Sequence, residues 1–195
     1  PDTEIMVFYP SEGVSPMQKL QMDSQAGENV HVCAIKGNFD DAQTGVKKIF
    51  NDDEYAAKLQ EIGVKLSSAN SINIGRLAPQ VVYYFKAYKD LMERGQITMG
   101  DKVNFSVPTG NFGDILAGYL AKKLGLPVGT LICASNANNV LTDFIRTGTY
   151  DRRRPLYKTT SPSMDILVSS NLERLLYLMT EDTELVAALM KQLNT

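Results

Sequence analysis

The sequence has 195 residues and a formal net charge of −2 at pH 7. Hydrophobic residues make up 44% and charged residues 22% of the chain, which is typical of a folded globular protein. The near-neutral charge argues against a basic nucleic-acid-binding protein, and one histidine with two cysteines is too few for a standard zinc site. No apolar run approaches the roughly 18 residues that a membrane span requires. We therefore expect no metal, nucleic acid or membrane as a partner.

Strand-type and helix-type runs alternate along the chain, which predicts an α/β fold with mostly parallel sheets and flanking helices. In chain order, strands are predicted at residues 5–9, 30–35, 64–66, 102–107 and 128–134. Helices are predicted to begin at Pro16, to cover residues 40–50, 53–62, 71–91, 115–124 and 139–145, and to resume from Asn171. The charged residues 151–154 are predicted to form a solvated link.

The two cysteines and the two chain ends suggest the setting of the protein. Cys33 and Cys133 each lie in an apolar run, so we predict two core thiols and a reducing, cytoplasmic compartment. The chain starts with Pro1 just before a strand-like run and stops inside an apolar run at 185–190, which favours a piece of a longer protein. Because such a piece would leave sheet edges and faces uncovered, we expect it to self-associate.

The joint between the fourth strand and the following helix contains Gly110, Asn111, Phe112, Gly113 and Asp114. Two glycines let the backbone approach a ligand closely, and a helix start offers unpaired N–H groups to a phosphate. The spacing matches neither the dinucleotide fingerprint nor the P-loop. Asp114 is an unfavourable neighbour for a dianion and is a candidate helix cap. An ordinary tight connection therefore stays open beside a phosphate site.

A second polar segment, residues 67–76, follows a predicted strand and is predicted to open the long helix. Its amide and hydroxyl side chains and Arg76 could together hold an anion. At 100° per residue, however, Arg76 lies about 140° round a helix from Ser71. A helix cap with polar surface residues is therefore the alternative interpretation.

Other candidate residues carry weaker signals. His31 is flanked by Val30 and Val32, and we predict that it faces solvent or a polar partner rather than acting in catalysis. The neighbours of Lys36 do not favour a Schiff-base role. Aromatic residues at helical spacing predict packing rather than a stacking platform; they are Tyr83, Tyr84, Phe85 and Tyr88.

Six stretches together resemble the threonine synthase family, whose members use pyridoxal phosphate and share the tryptophan-synthase-β fold (fold type II). The first three are YPSEGVSPMQKLQM (9–22), KGNFDDAQ (36–43) and SSANSINIGRLAPQVVYYF (67–85). The others are PTGNFGDILAGYLAKKLGLP (108–127), ASNANNVLTDFIRTGTYDR (134–152) and SPSMDILVSSNLERLLY (161–177). They cover most of the chain in the family's order.

The resemblance implies a function for both polar segments. Members of the family convert O-phosphohomoserine and water to threonine and phosphate, with the cofactor as electron sink. By this resemblance, residues Gly110, Asn111, Phe112, Gly113 and Asp114 hold the cofactor phosphate. By the same resemblance, Asn70, Ser71 and Arg76 bind the substrate phosphate, with Arg76 as its fork-shaped partner.

The resemblance also implies which parts are missing. None of the lysines has the Phe-Lys-Asp context of the family's cofactor lysine, so we expect no catalytic residue in this chain and no activity from it by itself. We expect residues 1–69 to form most of a smaller mobile domain, and 70–195 part of the larger cofactor-binding domain. Another fold-type II enzyme, such as a dehydratase or synthase, and a non-catalytic module of that fold remain alternatives.

Overall fold

The computed structural model describes residues 3–11, 14–37, 39–71 and 73–194, with the side chains of residues 39, 40 and 194 left aside. The chain divides into two compact units, Pro1–Ser67 and Ser68–Thr195. Each unit has its own two-stranded parallel sheet. The α/β class and the parallel strand pairing are therefore confirmed.

The first unit is a parallel strand pair with three helices. Its elements are β1 (Ile5–Pro10), α1 (Pro16–Asp23), β2 (Val30–Ile35), α2 (Phe39–Phe50) and α3 (Asp53–Glu61). β1 and β2 pair in unbroken register from Ile5 opposite Val30 to Pro10 opposite Ile35. The helix start predicted at Pro16 is confirmed, because Ser15 and Gln18 form a reciprocal capping box there.

The prediction of a strand at residues 64–66 is wrong. No strand forms there, and the N–H of Val64 donates to the carbonyl of Leu59 at 2.9 Å, which closes the turn after α3. Val64 is 46% exposed. Three residues without a neighbouring strand gain too few ladder hydrogen bonds to compete with that turn.

The second unit contains the remaining helices and the second strand pair. Its elements are α4 (Ile74–Leu77), a 3₁₀ turn (Ala78–Gln80), α5 (Val81–Glu93), β3 (Val103–Pro108), α6 (Gly113–Lys123), β4 (Val128–Ala134), α7 (Val140–Thr147), a second 3₁₀ turn (Pro162–Met164), α8 (Leu172–Thr180) and α9 (Thr183–Asn194). β3 and β4 are parallel, with one irregularity between Val103 and Phe105.

Two helix predictions in this unit need correction. The predicted helix over 71–91 starts later, because the side chain of Asn73 caps the N–H of Gly75 at 2.9 Å. It is then interrupted by the 3₁₀ turn that contains Pro79, a residue that cannot donate a helical hydrogen bond. The helical region from Asn171 is divided by Glu181, whose φ is 55°.

The core of the second unit lies around α6. Leu116, Ala117 and Ala121 are almost completely buried and pack with Leu77 and Tyr84. Packing is thus confirmed for Tyr84 and Tyr88. The prediction of packing is wrong for Tyr83 and Phe85, which are 58% and 41% exposed, because a single helix turns only one face to the core.

The remaining single-residue predictions have mixed outcomes. Cys33 and Cys133 are free thiols but only partly buried, so they are not fully core residues. The ring of His31 lies 2.9 Å from the carboxylate of Glu4, which confirms the predicted polar partner.

The charged residues 151–154 are only partly a solvated link. Asp151 and Arg153 form an exposed ion pair, whereas the side chain of Arg154 is only 26% exposed and is paired to Asp143 at 2.8 Å. Within the described part of the chain, no helix is long and apolar enough to cross a membrane.

Candidate functional site

Residues 110–114, called here the glycine turn, form the entrance to α6. Phe112 occupies the N-cap position with a left-handed backbone (φ 61°, ψ 15°) and a buried side chain. The first helical hydrogen bond runs from the N–H of Leu116 to the carbonyl of Phe112 at 3.3 Å. Within the described residues, no acceptor is recorded for the N–H groups of positions 112–115. A left-handed residue followed by free N–H groups at a helix start is a concavity suited to an anion.

Both glycines of the turn lie against other backbone segments. A Cβ atom on Gly113 would lie 3.3 Å from the Cβ of Ser71. A Cβ atom on Gly110 would lie 3.1 Å from the carbonyl oxygen of Ser163 and from the end of Ile166. The turn therefore fits between two neighbouring segments because neither glycine carries a side chain.

Ser169 and Asn171, just before α8, hold the carbonyl groups of Gly110 and Asn111 in the turn. Asn171 is 1% exposed, and its backbone N–H and side-chain Nδ2 both donate to the carbonyl of Asn111, at 3.1 and 3.0 Å. The hydroxyl of Ser169 donates to the carbonyl of Gly110. With its carbonyls fixed in this way, the turn keeps its N–H groups available for a ligand. The sequence analysis assigned no role to either residue.

Residues 70–76, called here the amide segment, are ordered by their own side chains. The hydroxyl of Ser68 donates to Oδ1 of Asn70 at 2.6 Å, and Nδ2 of Asn73 donates to the carbonyl of Ser68 at 2.9 Å. Leu77 follows directly and is completely buried. The segment is thus attached to the core at its C-terminal end.

The two predicted segments meet at Ser71. Ser71 precedes the first helical turn, so the 140° separation from Arg76 expected for one continuous helix does not apply. It contacts Gly113 on one side, and its carbonyl accepts a hydrogen bond from Nη1 of Arg174 at 2.8 Å. Arg76 has an exposed side chain. The structure thus brings Ser71 to the glycine turn, while it records no contact of Asn70 or Arg76 with that turn.

Asp114 does not cap α6, because Phe112 takes that position without a side-chain hydrogen bond. The hydroxyl of Tyr84 donates to the backbone carbonyl of Asp114 at 2.8 Å. Asp114 keeps exposed surface, yet desolvation by the surrounding protein raises the pKa of its carboxyl, and the Tyr84 hydroxyl offsets part of that rise. Both residues border an open groove of about 210 Å³ between α5 and β3, lined also by Tyr83, Phe105 and Pro108.

We expect the carboxyls of Asp114 and Asp101 to titrate in opposite directions from the ordinary aspartate value. The pKa of Asp101 is lowered because the N–H and hydroxyl of Thr98 donate to its carboxylate, at 2.7 and 2.8 Å. Asp101 therefore stabilises the fold above its unfolded-state pKa, and this stabilisation is lost as the pH falls through the lower folded-state pKa. Ionisation of Asp114 has the opposite sign and weakens the fold as the pH rises. Carboxyl-carbon NMR titration measures both midpoints; an Asp114 midpoint below that of Asp101 would contradict the expectation.

A second network of polar side chains lies beside the end of β4. Nδ2 of Asn136 donates to Oδ1 of Asp165 at 2.7 Å, and Nδ2 of Asn138 donates to the same oxygen at 3.0 Å. The N–H and hydroxyl of Thr159 also donate to the Asp165 carboxylate. This network fixes residues 157–165 against β4 and so holds Ser163, which borders Gly110.

The comparisons with known proteins agree with this geometry. No protein-family model matches the chain. Threonine synthase-like 1 of Macaca fascicularis is 51% identical over 194 residues, covering 98% of this chain and 26% of that protein. Threonine synthase of Saccharomyces cerevisiae is 43% identical over 184 residues, covering 93% of this chain and 34% of that protein. The crystal structure of PLP-bound threonine synthase from Brucella melitensis superposes with a TM-score of 0.80 at 46% identity over all of this chain and 40% of that one.

The chain is homologous to part of the threonine synthases. The fold-type II architecture implied by the resemblance is confirmed by the match to solved threonine synthases. The chain spans about a quarter to two fifths of the length of the threonine synthases and threonine synthase-like proteins that it matches, with shares between 24% and 40%.

Proposed function

We propose that this chain supplies the two phosphate-holding elements of a pyridoxal-phosphate-dependent threonine synthase. Such an enzyme converts O-phospho-L-homoserine and water to L-threonine and phosphate. The observation that carries the proposal is the close approach of Ser71 to Gly113, where a Cβ atom on the glycine would lie 3.3 Å from the Cβ of Ser71. This approach brings the amide segment beside the glycine turn. An enzyme that binds a phosphorylated cofactor and a phosphorylated substrate needs two neighbouring anion sites of this kind.

The glycine turn fits the phosphate of the cofactor. The N–H groups at positions 112–115, for which no acceptor is recorded in the described residues, lie at the positive end of the α6 dipole. Gly110 and Gly113 carry no side chain and so let the turn pack closely against its neighbouring segments, while Asn171 holds the carbonyl of Asn111. The N–H groups of the turn are thus left for a phosphate oxygen. Pyridoxal phosphate bound there would supply the electron sink for the reaction.

The amide segment fits the phosphate of the substrate. Asn70 and Ser71 present an amide and a hydroxyl, and Arg76 presents a planar guanidinium that can bind two oxygens of a dianion. As phosphate leaves the substrate, the negative charge on its oxygens grows, and a fixed cation stabilises that charge. Arg76 is therefore the residue that we propose for binding the leaving group.

The other parts of the proposal concern the whole protein. A cofactor lysine outside this chain completes the site. Residues 1–69 belong to the smaller domain of the enzyme, and residues 70–195 belong to its larger, cofactor-binding domain. This chain by itself is inactive and self-associates. Exposed apolar side chains such as Met6 (58%) and Val82 (62%) support the self-association. The two free thiols support a reducing, cytoplasmic setting.

Arg76→Ala tests the substrate assignment in the protein encoded by the complete reading frame. We expect kcat/KM for O-phosphohomoserine to fall about 10- to 100-fold, because a charge-assisted hydrogen bond contributes about 1.5–3 kcal/mol. Arg146→Ala is the matched control, since Arg146 is also an exposed arginine of the second unit. The affinity for pyridoxal phosphate, measured by absorbance titration, should stay unchanged in both variants. Equal turnover by the two variants would contradict the assignment.

A further inference from the structure

Two polar side chains at the start of α8 connect the glycine turn to the amide segment; they are Asn171, its N-cap residue, and Arg174. Nη1 of Arg174 donates to the carbonyl of Ser71 at 2.8 Å and to Oδ1 of Asn171 at 2.5 Å. Asn171 in turn donates twice to the carbonyl of Asn111. A continuous chain of hydrogen bonds therefore runs from Ser71 through α8 to the turn, across 103 and 60 positions of sequence.

The surroundings make this connection rigid. Asn171 is 1% exposed, and all its side-chain hydrogen-bonding atoms are engaged: Oδ1 by Arg174, and Nδ2 by the carbonyl of Asn111 and, more weakly, by Ser170 at 3.5 Å. Arg174 is partly buried. It lies one helical turn beyond Asn171, the spacing at which two side chains of a helix meet. Neither side chain can leave without stranding a buried polar partner.

We infer that Arg174 is a positioning residue that fixes the distance between the two phosphate-holding elements. This inference rests on the proposed function, because the elements matter together only if both bind phosphate groups at once. Nη1 of Arg174 donates to two acceptors on different segments, the carbonyl of Ser71 and Oδ1 of Asn171. The planar guanidinium fixes the direction of both bonds, whereas a lysine amine on its flexible stem does not. Its positive charge also lies at the junction of the two anion sites.

The inference predicts a defect in the chemical step rather than in substrate binding. Each element keeps its own ligands when Arg174 is replaced, so KM should change by less than about threefold. The reacting groups lose their alignment, however, and a displacement of about 1 Å costs about 100-fold in rate. We therefore expect Arg174→Met to lower kcat about 100-fold. Arg174→Lys should restore less than about a tenth of wild-type kcat, since lysine returns the charge on a flexible side chain without the planar guanidinium.

The experiment compares wild type, Arg174→Met, Arg174→Lys and the control Arg146→Met in the protein encoded by the complete reading frame. Steady-state kinetics with O-phosphohomoserine gives kcat and KM, and hydrogen exchange reports the N–H of Asn171. We expect that amide to exchange at least about tenfold faster in Arg174→Met than in the control. If Arg174→Met does not fold, Arg174→Lys takes its place in both measurements.

The outcomes separate this inference from the proposed function. A wild-type protein without turnover would overturn the proposed function, and the exchange rate of Asn171 would then still decide the positioning role. With an active wild type, three results would overturn the inference: Arg174→Met behaving as Arg146→Met, full rescue by lysine, or a loss confined to KM. The last result would make Arg174 a direct substrate ligand instead.

Discussion

Replacing Leu77 by alanine is expected to lower the free energy of unfolding of the second unit by about 2–5 kcal/mol. Leu77 is completely buried and packs in the core around α6. Alanine would remove apolar surface from that core and leave a cavity that its neighbours fill only in part. Because Leu77 directly follows Arg76, it also anchors the amide segment, so the substitution should increase hydrogen exchange in residues 73–76.

Ile74→Ala provides the matched control for this expectation. Ile74 lies in the same four-residue helix but is 55% exposed, and a substitution at such a surface site changes stability by about 0.5 kcal/mol or less. Urea denaturation of both variants measures the difference. Similar losses for the two substitutions would show that Leu77 does not anchor the segment to the core.

Most of the secondary structure could be predicted because its signals are local. Ser15 and Asp52 cap the helices that they precede, and the β2 and β4 boundaries follow directly from their apolar runs. The incorrect helix boundaries arise where two local patterns compete, one that favours a continuous helix and one that ends or starts it. The helical spacing of apolar residues from 74 onwards hid the Asn73 cap and the break at Pro79.

The position of the candidate site could be predicted only where it lies at the boundary between a strand and a helix. The glycine turn lies between a predicted strand and a predicted helix, so its position was correct. The support from Ser169 and Asn171 comes from about 60 residues away, and no periodic pattern encodes such a contact. The Ser-Ser-Asn sequence before α8 was a possible signal, since these residues favour helix starts and bonds to backbone, but it does not identify the partner.

Gly118→Ala is expected to destabilise the second unit by about 1–3 kcal/mol through overpacking, although alanine is intrinsically the better helix former. Gly118 lies in the buried face of α6, and a Cβ atom there would be 2.7 Å from the ring of Tyr84 and 3.0 Å from Leu131. The ring cannot easily retreat, because its edge packs on Phe105 with centroids 5.0 Å apart and its hydroxyl binds the carbonyl of Asp114. The substitution should therefore also disturb the start of α6.

Gly45→Ala is the matched control, with the opposite expected sign. Gly45 lies inside α2, and a Cβ atom there would have no heavy atom within 4 Å, so alanine should stabilise the first unit by about 0.5–1 kcal/mol. Because the two glycines lie in different compact units, hydrogen exchange of core amides in each unit is the appropriate measurement. A stabilising effect at both positions would mean that Tyr84 can move aside, and that close packing does not fix the entrance of α6.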